Sequence, residues 1–158
     1  MQALTPNTRA FLYAIAVSEI GVQMLAKSDD GYNVIVGSTS SAMNTFSNYA
    51  DHPRKLVHVG GNLWSTAAGR YQILSHLFDA YKAQLKLPDF GKDSQDAIAL
   101  QLARECHALD DIDAGRIEMA LTKCSSRWAS LPGAGYGQHE NAMAPLVAAY
   151  QSAGGTLA

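Results

Sequence analysis

The chain has 158 residues, a length that suits a single domain, and 47% of its residues are hydrophobic, as expected of a globular protein. Its formal net charge at pH 7 is −2, so it lacks the basic field of a protein that binds nucleic acid. Its apolar runs fall short of the roughly 18–20 residues that a membrane span needs. We therefore expect one domain over residues 1–158, with no nucleic-acid partner and no stable insertion into a membrane.

The first predicted element is a helix near the N-terminus. Thr5 supplies a capping hydroxyl and Pro6 suits the first helical position, so the helix is expected to begin there and to end at about Ile20. The apolar run Phe11–Val17 is short and lacks a convincing cleavage site, which argues against a secretion signal. It predicts a core helix instead.

Two short strands are predicted next. Tyr32–Val36 is rich in β-branched residues and is followed by Gly37, which predicts a strand that ends there. Leu56–Val59 predicts a second, weaker strand before a Gly60-Gly61 turn. The small, polar residues 38–48 between the two strands predict a loop.

Helices dominate the remainder of the predicted fold. Apolar residues recur at spacings of three and four, and capping or breaking residues separate the segments. The predicted helices run from a Ser65 cap through Leu85, from an Asp93 or Ser94 cap through Cys106, over Asp113–Ala129, and over Gln138–Ala153 with a kink at Pro145. Residues 131–137 predict an irregular segment. The expected fold class is therefore α+β, mostly helical, with a small sheet.

The two cysteines, Cys106 and Cys124, both fall in helical patterns. Cys124 shares an apolar face with Ile117 and Leu121, which favours a buried free thiol over a disulfide. Free thiols fit a protein made in a reducing cytoplasm.

Glu19 is the first candidate for chemistry. On the first helix, Phe11, Ile15 and Glu19 fall within a sector of about 100°, so a carboxyl shares the apolar face. Desolvation without a paired cation raises the pKa of a carboxyl, and a protonated carboxyl is the general acid that a glycosidic oxygen requires. The helical pattern alone leaves open a Glu19 that points into water at a frayed helix end.

A glycoside hydrolase also needs a second carboxylate across the scissile bond. Asp29, Asp30 and Asp51 are available, and none of them stands in a motif that singles it out. A lytic transglycosylase needs one acid, because a hydroxyl of its own substrate replaces water as the nucleophile. Sequence pattern leaves both chemistries open.

Four sequence blocks resemble the lambda-phage endolysin family, in that family's order. They are residues 32–37 (Tyr-Asn-Val-Ile-Val-Gly), 49–57 (Tyr-Ala-Asp-His-Pro-Arg-Lys-Leu-Val), 65–72 (Ser-Thr-Ala-Ala-Gly-Arg-Tyr-Gln) and 128–138 (Trp-Ala-Ser-Leu-Pro-Gly-Ala-Gly-Tyr-Gly-Gln). The resemblance covers about Arg9 to Gly155. It implies a lysozyme-like fold in which a small β-containing lobe and a helical lobe flank a cleft. It also implies a lytic transglycosylase that cuts the MurNAc–GlcNAc β-1,4 bond of peptidoglycan, leaves 1,6-anhydro-MurNAc ends, lyses the host cell and uses Glu19 as the catalytic residue.

The resemblance also implies where substrate is bound. Block 65–72 resembles the Ser-x-x-Gly-x-x-Gln signature of lytic transglycosylases, and on a helical wheel Gln72 would lie off the core stripe, free to bond sugar groups. Residues 49–60 and 128–138 resemble the two lips of the family's cleft. The expected substrate-binding residues are Asn33, Tyr49, Asp51, Ser65, Tyr71, Gln72, Tyr136 and Gln138.

The chain departs from the family pattern at two positions near these residues. Ile20 stands where the family usually has glycine, and Asn33 stands where it has aspartate. The loop 38–48 also looks longer than usual. If residue 33 lies close to Glu19, the amide removes a like charge and lowers the electrostatic push on the pKa of Glu19.

Other classes of protein were weighed against this hypothesis. The five histidines lack zinc-site spacing, so neither a metal nor another cofactor is expected. A Cys-His amidase would need an activated cysteine, which neither thiol provides. A hydrolytic muramidase of the same fold remains the alternative, followed by a catalytically weak peptidoglycan-binding module.

The absence of a secretion signal predicts accumulation in the cytoplasm of the host bacterium. The resemblance then implies that a separate holin permeabilises the membrane before the enzyme reaches the cell wall in the periplasm. The expected partner is the glycan strand of peptidoglycan, and the expected oligomeric state is a monomer.

Overall fold

A computed structural model describes residues 3–158 of the chain. In chain order its elements are α1 (Pro6–Glu19), α2 (Val22–Ala26), β1 (Val57–Gly60), β2 (Leu63–Ser65), α3 (Ser75–Leu85), α4 (Lys92–Glu105), α5 (Leu109–Asp113), α6 (Ile117–Lys123) and α7 (Met143–Ser152). The chain divides into two compact units: a helical unit, made of Ala99–Ala158 and the N-terminal residues through Glu19, and a central unit, Ile20–Ile98. Within residues 3–158, every helix is too short or too polar to cross a bilayer.

Helix α1 confirms the first predicted element. Thr5 Oγ1 accepts a hydrogen bond from the backbone N–H of Thr8 at 3.1 Å, so a side chain satisfies one of the free donors of the first turn. Phe11 and Ile15 are fully buried, and α1 packs against α7 in the core of the helical unit.

The C-terminal helices are shorter than predicted. The helix predicted over Asp113–Ala129 is wrong at its start, because Gly115 has a φ of +77° and separates α5 from α6. Its end continues only as a 3-10 turn, Cys124–Ser126. The helix predicted over Gln138–Ala153 begins instead at Met143, which places Pro145 in the first turn. There the missing N–H removes no helical hydrogen bond, so the predicted kink is wrong.

The sheet of the central unit is a single antiparallel hairpin, in which β1 confirms the weaker predicted strand and β2 was not predicted. The strand predicted over Tyr32–Val36 is wrong: this segment is a turn with isolated bridges from Val34 and Ile35. Glycines on both sides turn the chain, since Gly31 and Gly37 each have a φ of +83°.

The helix predicted to begin at Ser65 is also wrong, because α3 begins ten residues later, at Ser75. Ser65 ends β2, and residues 66–74 between them carry a turn closed by a bridge between Ala68 and Ile73. Gln72, with a φ of +49°, lies in this turn, so the helical-wheel argument for its orientation does not apply. The next helix, α4, begins at Lys92, close to the predicted start.

An aromatic cluster forms part of the core of the central unit. The ring of His52 lies 4.7 Å from that of Phe90, which in turn lies 4.9 Å from the ring of Phe78. His52 Nδ1 accepts from the backbone N–H of Arg54 at 2.9 Å, so Nε2 carries the proton that is donated to the carbonyl oxygen of Ile73 at 2.8 Å. Burial lowers the pKa of His52, which keeps the ring neutral and able to act as a core residue.

Candidate active site

Glu19 is the last residue of α1 and is partly buried. Ser130 Oγ donates a hydrogen bond to Glu19 Oε1 at 2.8 Å. Burial raises the pKa of Glu19 to about 7, against a smaller lowering by the Ser130 hydroxyl. Within residues 3–158, Glu19 forms no salt bridge with a lysine or arginine. The group is therefore a carboxyl that holds its proton up to neutral pH.

Two polar residues, Ser18 and Asn141, lie next to the bond between Ser130 and Glu19. Ser18 Oγ lies 2.8 Å from Ser130 Oγ, and Asn141 Nδ2 donates to the carbonyl oxygen of Ser18 at 2.9 Å. The backbone N–H of Asn141 donates to the carbonyl oxygen of Ser130 at 2.8 Å, so the segment 130–141 closes on itself beside Glu19. The sequence analysis did not single out Ser130 or Asn141. Ser130 lies within the block 128–138, whereas no motif marked Asn141.

The segment between Ser130 and Asn141 carries two of the predicted substrate-binding residues, Tyr136 and Gln138. Its glycines at 133, 135 and 137 all have φ between +72° and +79°, as a lip without helical or strand structure allows. Glu140 accepts from the backbone N–H of Gly133 at 2.8 Å and of Gly135 at 2.9 Å, and the bonds from Gly135 and Gly133 hold its pKa below the usual value. Tyr136 is 56% exposed, and its hydroxyl donates a hydrogen bond to the carbonyl oxygen of Ser126. Gln138 is exposed as well.

In the central unit, three candidate residues line one cavity of about 650 Å³. Its lining residues are Asp29, Asn33 and Thr45–Pro53, which include Tyr49 and Asp51. Asn33 Oδ1 accepts from the backbone N–H of Asp29 at 3.0 Å, and the Tyr49 hydroxyl donates to Asp29 Oδ2 at 2.7 Å. The side chain of Asn33 therefore caps a turn in this chain.

The three aspartates weighed as second carboxylates are all ion-paired. Lys92 Nζ lies 2.6 Å from Asp29 Oδ1 and holds the pKa of Asp29 below its usual value. Arg54 does the same for Asp51 at 2.9 Å. Arg70 Nη1 lies 2.9 Å from Asp30 Oδ2. Each of these three carboxylates therefore lies beside a cation.

The remaining candidates lie on the segment 65–72, which runs from the end of β2 into the turn closed by Ala68 and Ile73. Tyr71 is 1% exposed and its hydroxyl donates to Asp96 Oδ1 at 2.6 Å, so its place is inside the central unit. The Ser65 hydroxyl accepts from the backbone N–H of Ala67 at 3.1 Å. Gln72 is partly exposed, and its Nε2 donates to the carbonyl oxygen of Gly69 at 2.8 Å.

The side chain of Gln95, in α4, forms hydrogen bonds with the backbone of this turn and of two neighbouring segments. Its Oε1 accepts from the backbone N–H of Arg70 at 2.9 Å, while its Nε2 donates to the carbonyl oxygens of Tyr32 and Phe90 at 3.0 and 2.8 Å. Gly69, with a φ of +82°, lies so close to the Gln95 side chain that a Cβ would overlap it. The turn is therefore built around a buried amide, a feature that the Ser-x-x-Gly-x-x-Gln spacing does not show.

The two cysteines form no disulfide with each other. Cys106 and Cys124 are both free, and Cys124 is fully buried, as predicted. Burial is the main cause that raises the pKa of the Cys124 thiol. Across residues 3–158, no three His, Cys, Asp or Glu side chains converge on a point where a metal ion would be held.

Comparison with known proteins bears on the whole chain. The Endolysin family model matches residues 9–157. The chain is 48% identical to the endolysin of Escherichia phage lambda, over 99% of this chain and 97% of that protein. It is 46% identical to the endolysin of Escherichia phage P2, over 96% of this chain and 95% of that protein.

Solved structures extend this likeness to the fold. Bacteriophage lambda lysozyme complexed with a chitohexasaccharide matches with a TM-score of 0.91 at 48% identity, and both chains are covered in full. Lysozyme from bacteriophage lambda matches with a TM-score of 0.87 at 47% identity, again over the whole of both chains. These matches confirm the predicted fold class, α+β, mostly helical and lysozyme-like. The chain belongs to the endolysin family, whose members are enzymes that degrade the peptidoglycan of the bacterial cell wall.

Proposed function

We propose that this chain is a lytic transglycosylase that cleaves the MurNAc–GlcNAc β-1,4 bond of peptidoglycan, with Glu19 as its catalytic acid and base. The observation that carries the proposal is the Glu19 carboxyl, whose pKa burial raises to about 7. A group that is half protonated near neutral pH can both give and take a proton in one catalytic cycle.

The reaction needs one such group. Glu19 protonates the oxygen that bridges MurNAc C1 and GlcNAc C4, and the C1–O bond breaks while the N-acetyl group of MurNAc stabilises the positive charge at C1. The resulting Glu19 carboxylate then takes the proton of the MurNAc 6-hydroxyl, and O6 bonds to C1. The proton is back on Glu19, the product ends in 1,6-anhydro-MurNAc, and no water is consumed.

The environment of the aspartates supports transglycosylation over hydrolysis. Both oxygens of Asp29 are engaged, one by Lys92 and one by Tyr49, and both oxygens of Asp51 accept from Arg54. A carboxylate held in this way is poorly placed to activate a water molecule. Asn33 cannot act as a base either, because an amide does not ionise.

We propose that substrate contacts come from the candidate residues described above. The cavity lined by Asn33, Tyr49 and Asp51 has the size of a ligand pocket and offers hydroxyl, amide and carboxylate groups to sugar hydroxyls. Further contacts are proposed from Ser65 and Gln72 and from Tyr136 and Gln138. Tyr71, also expected to contact substrate, is buried inside the central unit, so it supports this segment and does not contact a glycan. The chitohexasaccharide bound by lambda lysozyme supports a glycan ligand of this kind.

The proposed function includes a domain organisation, an oligomeric state and a place of action in the cell. We propose that residues 1–158 act as one catalytic domain, a proposal supported by a family model that spans residues 9–157. We also propose that the protein acts as a monomer. The protein would accumulate in the cytoplasm of the host bacterium and reach the cell wall after a separate holin permeabilises the membrane.

Mass spectrometry of the muropeptides released from purified peptidoglycan tests the proposal. Wild-type protein should release anhydro-muramic ends, which weigh 18 mass units less than the hydrated ends, and Glu19→Gln should lower this release by at least ~10²-fold. Activity of Glu19→Gln within threefold of wild type would exclude Glu19 as the acid. Reducing muramic ends would identify a hydrolase, and no release by either protein would favour a binding module.

A further inference from the structure

We propose that Ser130 and Asn141 are positioning residues for Glu19, and that with Ser18 they direct the reactive proton onto the Oε2 atom of its carboxyl. This inference rests on the proposed role of Glu19 as the catalytic acid. It is carried by the direction of the hydrogen bonds that join these four residues, all of which lie in the helical unit.

The amide of Asn141 sets that direction. Its Nδ2 lies 2.9 Å from the carbonyl oxygen of Ser18, 3.1 Å from Ser18 Oγ and 3.3 Å from the carbonyl oxygen of Ser130. Carbonyl oxygens only accept, so the amide nitrogen and not the amide oxygen must face them. The backbone N–H of Asn141 already donates to the Ser130 carbonyl oxygen at 2.8 Å. The two side-chain hydrogens are therefore assigned to the carbonyl oxygen and the hydroxyl of Ser18.

The remaining protons then follow in order. Ser18 Oγ accepts from Asn141, so its single proton is free to donate to Ser130 Oγ, 2.8 Å away. Ser130 Oγ, having accepted from Ser18, donates its own proton to Glu19 Oε1 at 2.8 Å. Hydrogen bonds that run in one direction polarise and strengthen each other. The chain from Asn141 through Ser18 and Ser130 thus ends in a donor that points at Oε1.

This arrangement has a consequence for catalysis. Because Oε1 accepts a hydrogen bond from the Ser130 hydroxyl, the neutral Glu19 carboxyl carries its own proton on Oε2. Without the Asn141 amide, the two serine hydroxyls could reverse, and Glu19 could then donate from Oε1 into the network. That tautomer would be unproductive, since the acidic proton would face Ser130 and not the glycosidic oxygen. Asn141 therefore acts through Ser130 to keep one productive protonation state.

Other ionisable groups on these segments are engaged elsewhere. The Arg9 guanidinium of α1 donates to the carbonyl oxygen of Leu4, and the Glu140 carboxylate accepts from the backbone N–H groups of Gly133 and Gly135. The Tyr136 hydroxyl donates to the carbonyl oxygen of Ser126. Tyr13 of α1 and His139 of the segment 130–141 are the remaining titratable residues on these two segments. A His139→Gln variant therefore controls for titration of the one histidine on this segment.

The test uses the full chain and two readouts: the carboxyl ¹³C titration of Glu19 by NMR, assigned with Glu19→Gln, and the pH profile of muropeptide release. Ser130→Ala should raise the titration midpoint of Glu19 by about 0.5–1 pH unit, because burial is then unopposed. Asn141→Ala should raise it by less. Both should lower kcat by about tenfold with KM within about twofold of wild type, and Ser130→Thr should restore both readouts.

Double variants decide whether Asn141 acts through Ser130. In Ser130→Ala, adding Asn141→Ala should change neither the midpoint nor kcat further. Ser18→Ala, which keeps the bond from Asn141 to the Ser18 carbonyl oxygen, should reproduce Asn141→Ala and serves in its place if that variant does not fold.

Two outcomes would overturn the inference: a wild-type midpoint in both Ser130→Ala and Ser18→Ala, or effects on kcat that add in the double variant. Failure of the proposed function is seen separately in the muropeptide assay, as activity of Glu19→Gln, as reducing muramic ends or as no release by either protein, whatever the titration shows.

Discussion

Replacing Glu19 by glutamine should make the protein more stable, by an amount that depends on pH. Burial raises the pKa of Glu19 from 4.5 to about 7 in the folded protein, whereas the unfolded chain keeps the ordinary value. Between these two values the folded state binds the extra proton, so the free energy of unfolding falls as the pH rises from 4.5 to 7. At 1.36 kcal/mol per pH unit, the loss at pH 8 amounts to about 3 kcal/mol. Glutamine cannot ionise, keeps the shape of the side chain and still accepts from Ser130.

Urea denaturation of wild-type protein and Glu19→Gln at pH 5 and pH 8 measures this effect. The variant should be more stable by about 3 kcal/mol at pH 8 and by less than about 1 kcal/mol at pH 5. For a chain of this length the difference at pH 8 corresponds to an increase in Tm of about 6–12 °C. The exposed Glu118 of α6 offers the matched control, since Glu118→Gln makes the same chemical change at the surface. A stability difference that does not change between pH 5 and pH 8 would refute the assignment of Glu19 as a desolvated acid.

Three further predictions follow from particular contacts. If Glu19 is the proposed catalytic acid, it must be protonated to act, so kcat/KM should fall about tenfold per pH unit above pH 7, and full activity at pH 9 would contradict this. Gly69→Ala should lower the free energy of unfolding by about 2–4 kcal/mol more than Gly133→Ala does. Both glycines have a φ near +80°, but only a Cβ at residue 69 would overlap the Gln95 side chain. Urea denaturation measures the difference, and equal unfolding free energies for the two variants would show that the overlap is relieved. A thiol reagent should label Cys106 before Cys124, because Cys124 is buried and its pKa is raised; peptide mapping by mass spectrometry identifies the modified residue, and faster labelling of Cys124 would mean that this part of the core opens readily.

Local sequence signals were reliable where a residue's neighbours along the chain decide its structure. Thr5 and Pro6 marked the start of α1, because capping and a fixed φ act within one turn. The glycines at 133, 135 and 137 marked an irregular segment, and all three adopt positive φ. Periodicity placed Phe11 and Ile15 in the core, where both are fully buried.

Errors arose where distant contacts override local preference. Tyr32–Val36 has the composition of a strand, yet its backbone meets partners only at isolated bridges, since glycines turn the chain before and after it. Residues 65–72 were predicted to begin a helix, because Ser65 could cap the apolar spacing of residues 74–85. The conformation of this segment depends instead on Gln95, an amide more than twenty residues away in sequence that bonds the backbone of Arg70.

Long ordered blocks are visible in a linear chain, so the family and the mostly helical fold class could be predicted from the sequence and are confirmed. An acid on an apolar helix face is also visible there, and it made Glu19 the candidate acid. The surroundings that raise the pKa of Glu19 and direct its hydrogen bonds depend on the folded chain. Its neighbours Ser130 and Asn141 lie 111 and 122 positions away in the sequence, and the hydroxyl that meets Oε1 is brought there by folding. The physical reason is that desolvation and hydrogen-bond direction depend on every atom around a group, whereas a sequence pattern shows only the residues beside it along the chain.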